Sequence, residues 1–291
     1  MLRSRRSEIS TAAVLMAPFV VIYGVLFVYP TIKMVHLSFT NAPLIGPGKW
    51  VGFDNFARLW SDRLFSTAVW NTFYFVALSV IPGTLVALLV ALGVNRLKGW
   101  LQSLVLAAFF LPYILPVSVV VQIWGWMFDK DFGIAQYAIA PFNDGQHLAV
   151  FRIVPLFIPA VAFVTVWWCL GFSVLLYIAG LRNISSEIYE AANLDGAGRW
   201  TTFRRITWPL IWPVTVLVFT IQLILQFKIF DQVYLLATRP DSTMVMVQYI
   251  YKQAFQMNKG GLASAASVIL FLLIIILSVL QYQLLRTRGE R

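Results

Sequence analysis

Arg182-Asn183-Ile184-Ser185-Ser186-Glu187-Ile188-Tyr189-Glu190-Ala191-Ala192-Asn193-Leu194-Asp195-Gly196-Ala197-Gly198 is a polar island between two long apolar runs. Ser185 or Ser186 can cap a helix whose first turns carry Glu187 and Glu190, where carboxylates favour the positive end of the helix dipole. Gly196 and Gly198 are natural stops, so the spacing predicts a helix over about 185–196, roughly three turns long. At about 100° per residue, Ile188, Ala191, Ala192 and Asp195 share one arc, with Glu187, Glu190 and Leu194 on the other side. The small alanines on the first arc would let a partner surface come close. Read by itself, the stretch also suits a solvated connector between two membrane helices.

Outward from the island the chain turns apolar. Its 291 residues are 60% hydrophobic and 12% charged, against roughly a quarter charged in soluble domains. That is the composition of a membrane protein. The net charge of +10 does not point to nucleic acid, because many of the basic residues flank apolar runs, where they act as topology and anionic-lipid signals. Six windows free of interior charge predict spans at about 9–32, 68–94, 101–127, 154–180, 208–228 and 262–285, each holding the roughly 20 residues that a bilayer helix needs. The expectation is therefore an all-α polytopic membrane protein with six transmembrane helices, a single transmembrane domain over residues 1–291.

An even number of spans puts both termini on one side. That side carries Arg3, Arg5, Arg6, Arg96, Lys98, Arg182, Arg199, Arg204, Arg205, Arg286, Arg288 and Arg291 on the shorter connections. The denser basic charge marks it as cytoplasmic, and the island lies there too. The N-terminal apolar run is too long for a signal-peptide core and lacks a small-residue cleavage site, so no cleavable leader is expected.

Several features are structural rather than chemical. Pro82-Gly83, Pro112, Pro116, Pro155 and Pro159 free carbonyls and bend membrane helices, which suits a bundle with a cavity but equally suits plain packing. Trp208-Pro209 reads as the opening of the fifth span, with proline in the first turn. Gly261 with Ala265, and Ala263 with Ser267, form small-xxx-small pairs where helices approach closely. Trp50, Phe53, Phe56 and Trp60 suit either membrane-interface anchors or contact with another protein. Cys169 lies alone in an apolar run and reads as a small hydrophobe. His36 and His147 have no ligand-like neighbours, so no metal site is expected.

Intrinsic catalysis is not expected. The chain has no G-x-x-x-x-G-K-[ST] phosphate loop, no acid pair and no nucleophile beside a base. An ATP-driven process would need its nucleotide chemistry on another chain. The rival class, an autonomous secondary carrier or channel, usually leaves ionisable groups inside spans. The mid-span windows contain none, and Lys228 and Asp231 sit only at a span end.

Glu190-Ala191-Ala192, Asp195-Gly196-Ala197, Phe203, Ile206, Pro209 and Pro213 together resemble the signature EAA loop of the membrane subunits of binding-protein-dependent ABC importers. From Gly180-Leu181-Arg182 onward the pattern is most similar to the carbohydrate-uptake branch, the maltose and glycerol-phosphate type permeases. The segments 50–56 and 227–236 also resemble that branch, whereas Ala237-Thr238-Arg239-Pro240-Asp241 departs from its usual turn.

The resemblance implies a type I ABC importer permease fold with a cytoplasmic coupling helix. Glu187, Tyr189, Glu190, Ala191, Ala192, Asp195, Gly196 and Ala197 would form the ATPase-coupling surface. It further implies a second permease subunit, two ATPase subunits holding ATP and Mg, an extracytoplasmic solute-binding protein, and residence in a prokaryotic inner membrane with both termini cytoplasmic.

A neutral sugar or polyol requires aromatic faces for its C–H surfaces and amides or hydroxyls for its OH groups. Trp167 and Trp168 in the fourth span and Gln222, Gln226 and Phe227 in the fifth are the candidates. Gln222 and Gln226, one turn apart, would line one face. These side chains could instead face lipid or bond to neighbouring helices.

Overall fold

The computed structural model describes residues 14–142, 144–238 and 240–289, the last six of them by backbone only. The N-terminal arginines, the first residues of the predicted 9–32 span and Arg239 lie outside the described residues. In chain order the helices are α1 (Val14–Ser38), α2 (Asp54–Ser61), α3 (Arg63–Val94), α4 (Gly99–Ile114), α5 (Val117–Met127), α6 (Val154–Arg182), α7 (Ser186–Leu194), α8 (Arg199–Gln226), α9 (Asp231–Leu236), α10 (Met246–Tyr251) and α11 (Gly260–Gly289). Single helical turns fill some of the gaps. The described residues contain no strand, only an isolated antiparallel bridge between Thr40 and Trp50.

Five predicted spans appear as helices long and apolar enough to cross a bilayer, namely α1, α3, α6, α8 and α11. The window at 101–127 differs: it is two helices, α4 and α5, bent by 100°. The cause is Pro116. A proline disfavours the helical region for the residue before it, and Leu115 is extended at ψ 137°. Pro116 then caps α5 with ψ 143°. The freed Leu115 carbonyl accepts the indole N–H of Trp168 at 3.2 Å.

The fifth span also starts earlier than expected. Pro209 is not in a first turn but sits inside a helix that begins at Arg199. The turn before it widens, so that the Trp208 N–H donates to the Phe203 carbonyl five residues back. A wider turn moves the carbonyl that the proline ring would strike. The same device precedes Pro30, where the Tyr29 N–H donates to Gly24.

The sequence reads as one domain, but the contacts divide the chain into two compact units. One comprises Met1–Asp62 and Ile250–Ile269. Its α1 is exposed along its apolar length, as a lipid-facing helix would be. Buried Asn55 on α2 donates to the carbonyls of Ser38 and Thr40 at 2.9 and 2.7 Å. Phe39 collects Trp50, Phe53 and Phe56 into one aromatic cluster, while Trp60 is 92% exposed. The predicted close approach at Gly261 is to a loop: its N–H donates to the Ala42 carbonyl at 2.9 Å.

The other unit comprises Arg63–Tyr249 and Leu270–Arg291. Its core is built on α3, whose buried positions include Ala68, Thr72, Ser79, Gly83, Ala87 and Ala91. This stripe of small residues at helical spacing lets α6 and α8 lie close, where dispersion contacts rather than water exclusion hold membrane helices together. Ala87, Ala91 and Val94 pack with Val174, Tyr177 and Leu181 of α6 and Ile211 and Val218 of α8. Gly171 of α6 sits against the Phe109 carbonyl of α4, leaving no room for a Cβ. Thr72, Ser79 and Thr165 donate to carbonyls four residues back at 2.8 Å, which satisfies hydroxyls that would otherwise be stranded in an apolar core.

Candidate functional site

The polar island folds as α7, nine residues in place of the predicted three turns. Of the two serines, Ser185 is the cap: its hydroxyl accepts the Glu187 N–H at 3.3 Å. Asp195 ends the helix, and Gly196 follows at φ +73°. The Ala197 N–H reaches back to the Ala192 carbonyl at 2.9 Å and the Gly196 N–H to Asn193 at 3.1 Å. This pair of bonds is the Schellman closure, whose residue after the cap must be left-handed and is therefore usually glycine. The Asp195-Gly196-Ala197 string thus has a local backbone reason.

The orientation of α7 corrects one expectation. Ala192 belongs to the arc expected to meet a partner, yet it is buried. Its carbonyl closes the C-terminal turn, and the half-buried Tyr189 points the same way, its hydroxyl 3.2 Å from Thr207 Oγ1 on α8. Glu187, Ile188, Glu190, Ala191, Leu194 and Asp195 remain exposed. The outer surface therefore carries carboxylates beside uncovered apolar groups, Leu194 being 89% exposed.

Behind α7 runs the 28-residue α8, about 40 Å long at 1.5 Å per residue. The joint between them has two ties: the glycine-closed turn and the Tyr189–Thr207 bond. Spacing alone did not reveal a third bracket at this end. Gln102 of α4 donates to the Val94 carbonyl at 3.2 Å and accepts from Arg182 at 3.0 Å, linking the ends of α3 and α6. A polar residue within the first turn of a predicted span was the only available signal.

The five cargo candidates do not meet in one cavity. Gln222 and Gln226 are buried on α8, with Gln226 Nε2 donating to Gln222 Oε1 at 2.9 Å and Gln222 Nε2 to Ser173 Oγ of α6 at 2.7 Å. With Ser79 and Thr165 they line a small void of about 10 Å³, room for about one water. Phe227 is 1% exposed and meets Phe73 edge to face at 5.3 Å. Trp167 packs edge-on against Trp124 of α5 at 5.3 Å, and Trp168 holds the Leu115 carbonyl. Both tryptophans thus brace the break in the third span.

At the other end of this unit, wholly buried Gln136 organises the 128–150 connection. Its amide donates to the carbonyls of Phe128, Asp129 and Leu148 and accepts the Leu148 N–H, at 2.8–3.1 Å. No sequence signal marked it. Asn71 similarly ties α3 to the carbonyls of Ser242 and Met244. The departing 237–241 segment is anchored by Thr238, whose hydroxyl donates to the Phe151 carbonyl at 3.4 Å. Among the described residues no group of three or more His, Cys, Asp or Glu side chains could hold a metal ion.

Residues 83–289 match the family model described as binding-protein-dependent transport system inner membrane component. The chain is 34% identical over 301 residues, covering 99% of it and 98% of the relative, to the inner membrane ABC transporter permease protein YcjO of Escherichia coli (strain K12). It is 31% identical, over 92% of its length and 86% of the relative's, to the arabinooligosaccharides transport system permease protein AraP of Bacillus subtilis (strain 168). Its fold superimposes, at a TM-score of 0.86 and 22% identity over 98% of both chains, on a chain of a bacterial ABC transporter involved in the import of the acidic polysaccharide alginate.

Proposed function

The chain belongs to the binding-protein-dependent transport system inner membrane components, the multi-pass permease subunits of ABC importers, and from that membership we propose that it forms one half of a carbohydrate-translocating pore. The second half is a different permease chain. Two ATPase subunits, holding ATP and Mg, serve the pair of permease chains, one of them docking on α7 from the cytoplasm, and both termini lie on that side. A solute-binding protein delivers a sugar or related polyol from outside, in keeping with the arabinooligosaccharide system among its relatives.

The observation that carries this reading is the joint between α7 and α8. A capped, glycine-closed helix exposes Glu187, Glu190 and Leu194 outward and binds inward through Tyr189 to the base of a rod long enough to span the bilayer. Closure of the ATPase dimer, which bound ATP would drive, displaces α7. The rod α8 follows as a rigid body and opens the pore toward the loaded binding protein. Glu190 pairs with a basic group in the ATPase cleft, and Gly196 gives the chain its tight exit. Gln222 and Gln226 carry the amides best suited to cargo hydroxyls. Displacement of α8 along α6 breaks the bond from Gln222 to Ser173 and frees that amide for the cargo.

Co-purification of this chain with its ATPase and partner permease, followed by a ligand screen on the binding protein, tests the proposal. The expected result is a ternary membrane complex whose uptake in proteoliposomes needs ATP and loaded binding protein. Concentrative uptake by this chain alone under an ion gradient would overturn it. So would labelling of a cysteine introduced at Asp195 from outside the cell.

A further inference from the structure

A groove of about 670 Å³ opens between the end of α3, the inner face of α7 and the first turns of α8. Its floor is apolar, with Leu89, Leu92 and Phe203, and its rim carries Arg96, Arg199 and Trp200. On the reading above that this end faces the cytoplasm, we propose that the groove holds one anionic phospholipid of the inner leaflet. Its phosphate lies between Arg96 and Arg199 and its proximal acyl carbons lie on the leucine floor.

Three observations converge on an amphiphile. Both arginines are exposed, and no Asp or Glu lines the groove, so its fixed charge is uncompensated by carboxylates and favours an anion. Leu89, 67% exposed, and Leu92 gain nothing from a soluble anion, whereas hydrocarbon fits them. Arg96 also lies just past the end of the predicted 68–94 span, at the level of the hydrocarbon–water boundary. Trp200, 70% exposed, is a residue type that settles at that depth. Glu187 and Glu190 do not line the groove and stay exposed for the ATPase, so the two surfaces of α7 do not compete. A lipid seated there lies beside Tyr189 and Asn193 of α7, which makes the seating of the coupling helix sensitive to leaflet composition.

The test uses the full-length chain, with and without its partner permease and ATPase, in nanodiscs of phosphatidylcholine with graded phosphatidylglycerol, with bound lipid counted by native mass spectrometry. Wild-type complex is expected to retain phosphatidylglycerol over phosphatidylcholine. The double variant Arg96→Gln/Arg199→Gln should retain it about 30-fold less well, each cation near the surface contributing roughly one phosphate contact. Leu89→Trp, which fills the floor and keeps both charges, should also lower retention, and it serves if the double variant fails to assemble. Lys98→Gln, outside the groove, should change nothing. Equal retention by wild type and the double variant would overturn the proposal. The same holds for equal retention of both lipids, for displacement by millimolar inorganic phosphate, or for loss of the lipid when the ATPase docks. Lipid retention is read without transport, so failure of the transport assignment would not imitate any of these results.

Discussion

Tyr189→Phe removes one atom from the joint between α7 and α8 and keeps the ring. The lost hydroxyl stands 3.2 Å from Thr207 Oγ1, and Thr207 is 6% exposed, so its hydroxyl loses that partner. A net hydrogen bond of this kind is worth about 1 kcal/mol, which is about a fivefold shift in the fraction of molecules whose α7 is seated on α8. Membrane insertion and binding-protein docking should be unchanged, because neither involves this atom. The quantity to measure is cargo taken up per ATP hydrolysed in proteoliposomes, for Tyr189→Phe, Thr207→Val and the double variant. If the bond transmits motion, each single change lowers the ratio severalfold and the double is no worse than the singles, giving an interaction energy of about 1 kcal/mol. Residues with no shared contact add to within about 0.3–0.5 kcal/mol. Strict additivity here, or an unchanged ratio in all three, would show that α7 does not drive α8 through this tie.

Glu190→Ala should leave the chain inserted and the complex assembled while separating ATP hydrolysis from uptake; normal substrate-stimulated hydrolysis with normal uptake would count against a coupling role. Gly196→Val forces a β-branched residue into φ +73°, at a cost of roughly 1–2 kcal/mol or more, and should both uncouple transport and expose the 195–198 turn to protease. Gly171→Leu places a side chain against the α4 backbone and should lower yield and thermal stability of the complex, an overpacking cost of about 1–3 kcal/mol or more. Gln222→Ala and Gln226→Ala should raise the uptake KM for the cargo at unchanged ATPase affinity. An unaltered KM in both would assign the pair to helix packing alone.

The parts legible in the sequence were those governed by local rules. Long windows without charge must be membrane helices, because each buried charge is costly and backbone groups in lipid must pair within the segment. The island was readable as a helix for a similar reason: serine, glutamates and glycine at fixed offsets satisfy its ends without tertiary help. The resemblance to an importer loop rested on the same residues. What spacing could not supply was azimuth. A hydrophobic arc states which residues share a face, not which face a neighbour takes, so Ala192 was assigned outward and the fold turns it in.

Proline is the second case. Pro82, Pro112, Pro116, Pro159, Pro209 and Pro213 all lie in predicted spans or beside them, yet only Pro116 separates two helices. Before Pro209 a widened turn keeps the helix continuous, whereas at Pro116 the extended Leu115 ends it and the Leu115 carbonyl takes the Trp168 indole N–H. The amide brackets of Gln102 and Gln136 are not specified by spacing either, since most of their partners are backbone groups, which every residue carries. Sequence alone therefore determined that this chain spans a membrane repeatedly and carries a capped helix between its fourth and fifth spans. The tertiary structure alone decided where a span breaks, which side of that helix faces the protein, and which amides hold the ends together, because those depend on groups far apart in the chain meeting in space.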